Sequence, residues 1–229
     1  MSECIEYRGY KIKIETEELA QDPREDDNLG TMVCWHKRHT LGDAKQPKSP
    51  EALLCGLSLD TNDKWEQAAL NGEGLFRSSK EFLETLDKLD HVIYLPLYLY
   101  DHSGITINTT GFNHLDSGHW DWGWVGVIYI TKEKAKKEYG WKVLNKQRIE
   151  KLEEYLRSEV ETYDDYLTGN VYRYDIELPD GEEGDSCGGY YGSDHEKSGL
   201  MEAAKHEVDY DITRRLETEG IQETLALVS

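Results

Sequence analysis

The chain has 229 residues, enough for one substantial core, and its fifteen Tyr and six Trp within a 38% hydrophobic composition exclude an unstructured polymer. Its 46 acidic and 26 basic side chains give a formal charge of -20, a field that repels nucleic acid and anionic membranes and favours basic partners. The longest apolar run, Val92 to Tyr100, falls short of the about 18 residues of a membrane span, and no signal-peptide stretch opens the sequence, so no membrane association and a cytoplasmic location are expected.

From the N-terminus, Ile5, Tyr7, Tyr10, Ile12 and Ile14 predict two strand pieces separated by a bend or bulge at Gly9. An acidic loop from Glu15 to Asn28 follows, with Arg24 its one cation, and Gly30 leads into a strand over 31–36. Residues 43–76, broken by Pro47 and Pro50, are read as an excursion from the core. A capping box at Ser78–Glu81 starts a helix over 79–89. Val92 to Tyr100, the turn Asp101-His-Ser-Gly104 and Ile105 to Thr110 predict a hairpin. A loop over 111–123 leads to a strand over 124–130, and Thr131 caps a short helix ended by Gly140. Asn145 caps the longest helix, in which Ile149, Leu152, Leu156, Val160, Tyr163 and Leu167 recur at steps of three and four until Gly169. Tyr172 to Leu178, the turn at Pro179-Asp-Gly181 and Cys187 to Tyr191 form another hairpin. Leu200, Ala204, Val208, Ile212 and Leu216 then mark a C-terminal helix.

These elements predict an α+β fold, a mainly antiparallel sheet packed against a long amphipathic helix and shorter helices. Residues 1–192 are taken as the principal domain, with the excursion at 43–76, and 193–229 as a helical extension. Ile93, Leu95, Leu97, Ile128 and Ile130 are expected in the core, with Leu152, Leu156 and Val160 packed onto them. Cys4, Cys34, Cys55 and Cys187 form no C-x-x-C pair, three of them lie in expected strands, and all are read as reduced thiols.

No catalytic residue is assigned, and no cofactor is implied. The densest titratable cluster is Asp101, His102, His114, Asp116, His119 and Asp121, whose imidazoles and carboxylates are suitable ligands for zinc, iron or manganese. Its spacing matches no established metal signature, and Asp101 with Gly104 equally explains a tight turn. Ser103 beside His102 lacks a nucleophile elbow. The acids at 22–27 lack the order of a calcium-binding loop, and the glycine turns at 71–74 and 186–189 lack that of a phosphate loop. Two carboxylate runs remain as partner-binding candidates: Glu25, Asp26 and Asp27 in the loop, and Glu150, Glu153, Glu154, Glu161, Asp164 and Asp165 on the long helix. Acids in the C-terminal half of that helix oppose its dipole, which invites a functional explanation.

The segments Arg24-Glu-Asp-Asp-Asn-Leu-Gly-Thr-Met-Val-Cys-Trp-His36, Leu95-Pro-Leu-Tyr-Leu-Tyr-Asp-His-Ser-Gly-Ile-Thr106 and Arg157-Ser-Glu-Val-Glu-Thr-Tyr-Asp-Asp-Tyr-Leu-Thr-Gly169 resemble an uncharacterised family of bacteriophage and mobile-element proteins. Asp116-Ser-Gly118 and Val125-Gly-Val-Ile-Tyr129 share the resemblance. It carries over no activity or catalytic residues. What it implies is a small protein of the host-cell cytoplasm that binds host machinery. The expected function is an acidic binding protein that inhibits a basic, nucleic-acid-binding host defence protein by imitating nucleic acid, without binding nucleic acid itself. The alternatives are a metal-dependent enzyme using the Asp101 to Asp121 cluster, and an accessory fold whose charge confers only solubility.

Overall fold

The computed structural model describes residues 3–58, 63–116, 118 and 120–228, with side chains for all of these except Asp63 and 219–228. In chain order the elements are β1 (Glu3–Tyr7), β2 (Tyr10–Thr16), β3 (Thr31–Cys34), α1 (Pro50–Leu57), α2 (Asp63–Asn71), α3 (Ser79–Leu86), β4 (Val92–Asp101) and β5 (Ile105–Asn108). They continue with β6 (Trp122–Thr131), α4 (Lys132–Tyr139), α5 (Lys146–Thr168), β7 (Val171–Glu177), β8 (Glu183–Tyr191) and α6 (Leu200–Val228). The fold is α+β, with two antiparallel sheets. The chain groups into two compact units, Met1–Gln21 with Gly169–Ser229, and Asp22–Thr168, so strands expected in one sheet are divided between two.

The first unit holds the sheet β1-β2-β7-β8. The expected bend at Gly9 is a two-residue hairpin turn, with Arg8 at φ 51 and Gly9 at φ 86. Positive φ at both turn positions matches the right-handed twist of the flanking strands. Strand alternation then sorts the faces. Tyr10, Ile12, Ile14, Tyr174 and Ile176 pack against Leu200, Met201, Ala204 and Val208 of α6. On the opposite face Lys11 and Lys13 pair with Glu177 at 2.6 and 2.7 Å, and these two ammonium groups hold its carboxyl down at about 2. The C-terminal helix therefore belongs to the core of this unit through its first turns. Ile212 is only partly covered and Leu216 is 64% exposed.

The second unit holds the sheet β3-β6-β4-β5, covered on both faces. Ile93, Leu97, Ile128 and Ile130 are buried with Leu152, Leu156 and Val160 of α5, and Leu95 packs beside them, as the helical and strand spacings predict. Asn145 caps α5 by accepting from the Arg148 N–H at 3.0 Å. The opposite face carries Val127 with the partly buried Tyr94 and Trp124, packed against Leu53, Leu54, Leu57, Phe82 and Leu86. This corrects the expectation for residues 43–76. Pro50 opens α1 at the first helical position, Ser49 caps it, and the leucines of α1 complete the core instead of leaving it. The four cysteines form no disulfide; Cys34 is buried, and burial pushes its thiol up to about 12.

Candidate functional site

The acidic loop is built around its single cation. Asp22 accepts from the Arg24 N–H at 2.8 Å and starts a 3-10 turn over Pro23–Glu25. The Arg24 side chain, 2% exposed, turns inward and lies 2.7 Å from Asp43 and 2.9 Å from Glu159. It also donates to the Gly30 carbonyl at 2.9 Å. Glu159 in turn accepts the backbone N–H groups of Leu29 at 2.8 Å and Gly30 at 3.0 Å, which fastens the loop to α5. The approach requires glycine, because a Cβ at residue 30 would stand 2.5 Å from Leu156 Cδ2 and 2.9 Å from Ile128 Cδ1. With Arg24 buried beneath, the loop turns three exposed acids outward: Glu25, Asp26 and Asp27. A lone arginine among carboxylates was the signal for this arrangement, but its partners Asp43 and Glu159 are distant in sequence.

Beside the loop lies a cleft of about 330 Å³ between it, α4 and α5. Asp27, Glu138 and the half-buried Glu159 line it with the rings of Tyr139 and Tyr155, while Lys134 bridges to the Asn28 carbonyl at 3.1 Å. The two tyrosine rings stand 6.1 Å apart, and Lys151 Nζ lies 5.9 and 5.8 Å from their centroids, so the pair already presents its negative faces to a cation. Along the same helix Glu150, Glu154 and Glu161 are exposed and Glu153 is half-buried, and Lys146 lies 3.6 Å from Glu150.

Asp164, a partner-binding candidate on the long helix, is half-buried. Its Oδ1 accepts from the Thr106 hydroxyl at 2.6 Å and from the Ile107 N–H at 2.7 Å, joining α5 to strand β5. Burial raises its pKa above the usual aspartate value, while the two hydrogen bonds pull the other way. Glu159 and Asp164 thus give the acids in the C-terminal half of α5 a structural use that offsets their unfavourable place on the helix dipole. Asp165, one residue on, is also half-buried.

The described side chains of the Asp101 to Asp121 cluster engage different partners, although the Asp101 N–H donates to the Asp121 carbonyl at 2.8 Å. Asp101 accepts from Arg38 at 2.6 Å and contacts His39 Nε2 at 3.2 Å. The His39 ring stacks on His36 at 5.1 Å, and His36 Nδ1 accepts the His39 N–H. Burial, helped by His39, lowers the pKa of His36. His102 pairs with Asp121 at 3.2 Å. Asp116 is occupied by its own loop, accepting from the N–H groups of Gly118, Trp120 and Asp121 at 2.9, 2.6 and 3.0 Å. His114 is exposed beside Phe112. Among the described residues no group of three His, Cys, Asp or Glu could hold a metal ion, and His119 lies outside them. Sequence reasoning missed His36, Arg38 and His39. An H-x-x-H with an intervening arginine at a strand end was the available signal, but its meeting with Asp101 depends on β3 lying in the same sheet as β4.

No helix among the described residues is long and apolar enough to cross a membrane. Neither a known protein family, nor a curated protein, nor a solved structure matches the chain.

Proposed function

We propose that the protein is an acidic binding protein whose cleft between residues 27–29 and α5 receives a basic side chain from a protein partner. One observation carries this reading: the loop's only cation is buried beneath it, so the loop surface beside the tyrosine pair is left with carboxylates. Acids beside aromatic faces suit a guanidinium or ammonium group, which gains both ion pairing and attraction to the rings. The resemblance to mobile-element proteins supports a host nucleic-acid-binding defence protein as the partner, met in the host cytoplasm. The acidic surface would compete there for the groove that holds phosphate.

The experiment is capture from host lysate on the immobilised chain, beside a variant carrying Glu25→Lys, Asp27→Lys and Glu154→Lys. All three side chains are exposed, so the variant keeps its fold. The expected outcome is a basic protein retained by the natural chain, released by salt and not retained by the variant. Retention indifferent to both changes, or recovery of no basic protein, rejects the reading in favour of charge that serves solubility.

A further inference from the structure

A second cavity, of about 480 Å³, opens in the second unit where the starts of α1 and α3 meet the turn at 72–77 and Trp124 of β6. It is independent of the acidic cleft and shares no residue with it. Its apolar wall is aromatic: the partly exposed Phe76 and Trp124 pack on the fully buried Phe82, whose ring centroid lies 5.4 Å from each of theirs. Two polar side chains of the wall, Trp124 and Glu51, differ in how they are satisfied. The Trp124 indole N–H is buried without an acceptor, whereas neighbouring Trp35 donates to the Pro47 carbonyl at 2.9 Å. Glu51, only 3% exposed, accepts the Leu75 N–H through Oε1 at 2.8 Å, and that is its one donor among the described residues.

At the rim the chemistry changes sign. Lys48 and Arg77 are exposed there, and the N-termini of α1 and α3, capped by Ser49 and Ser78, open on the same space. In a chain of charge -20 this is a local cationic mouth above a deep carboxylate and a stacking wall. The lining thus combines exposed cations, partly exposed aromatic rings and a buried hydrogen-bond acceptor. A mononucleotide presents the complementary set: phosphate, flat base, and base-edge N–H groups. The volume lies in the range of small-ligand pockets. Glu73, also at the rim, disfavours the higher charge of a triphosphate.

We infer that this cavity binds a nucleoside monophosphate, with the base against Phe76 and Trp124, its edge donating to Glu51, and its phosphate held by Lys48 and Arg77. Stacking on aromatic side chains tolerates any base, and each of the four bases carries an amino or imino N–H that the buried carboxylate can accept.

The test is calorimetric titration of the full chain with AMP, GMP, CMP and UMP, with adenosine, guanosine and ribose 5-phosphate as partial probes. Saturable one-to-one binding of at least one monophosphate, tighter than its nucleoside and tighter than ribose 5-phosphate, is expected. Arg77→Ala, an exposed position safe for folding, should weaken the nucleotide about tenfold, the size of one lost charge-assisted hydrogen bond, and leave the nucleoside unchanged. Glu51→Gln should weaken both nucleotide and nucleoside. No saturable heat with any monophosphate overturns the proposal. So does equal binding of ribose 5-phosphate, which would leave an anion site without base recognition, or nucleotide binding that Arg77→Ala does not change.

Discussion

Arg24 shows how one residue converts an acidic stretch into a defined surface. Its guanidinium offsets two carboxylates at once, and with the side chain removed Asp43 and Glu159 would face each other partly out of water. Breaking such a pair leaves uncompensated charge, and Arg24→Ala should destabilise the chain by about 3–5 kcal/mol in denaturant titration. A loss near zero would mean that the loop is not fastened to α5. Asp164 separates charge from hydrogen bonding. Its folded pKa is raised, so its contribution is fully present below the unfolded value of 3.8 and is lost as pH rises through the folded value. Asp164→Asn keeps an acceptor for Thr106 and Ile107 and removes the buried charge, so it should match or exceed the natural stability at neutral pH and flatten the pH dependence just above 3.8. Asp164→Ala leaves the Ile107 N–H without its acceptor and should cost about 1–3 kcal/mol. Equal stability of the two variants would show that the side chain does not hold β5.

At the level of elements, legibility followed the length of the repeat. The stripe Leu152, Leu156, Val160 and Tyr163 recurs over several turns, and all four residues are buried in the expected place. Leu156→Ala should therefore cost about 2–5 kcal/mol by leaving a cavity against the sheet. A loss below about half a kcal/mol, the size of an ordinary surface substitution, would contradict that packing. Helix α1 was not legible because Pro47 and Pro50 read as breaks, and an eight-residue helix with three buried leucines offers too few turns to display its period. The assignment of strands to two sheets was also hidden. β7 lies 155 positions from β2 in chain order counted from Thr16 to Val171, and only pairing, not local pattern, puts them side by side. Residue roles failed for the same reason: Asp164 looks like any exposed acid until β5 is laid along the helix.

For the whole molecule, the charge of -20 is divided between uses. Some acids hold the fold, as Asp43, Glu159 and Asp164 do; others, such as Glu25, Asp27, Glu154 and Glu161, remain exposed on the second unit. The sequence shows the excess but not this division. Exposed charges act over about 8 Å at physiological ionic strength, so steering by such a surface is visible mainly in the association rate. The most direct measurement is the rate at which a basic partner recovered from host lysate associates with the chain across a salt series, for the natural protein and for the Glu25→Lys, Asp27→Lys, Glu154→Lys variant. Docking through the acidic cleft requires a rate that falls steeply with salt in the natural chain, and a slower, nearly salt-independent rate in the variant. Equal rates for the two proteins at every salt concentration would contradict it.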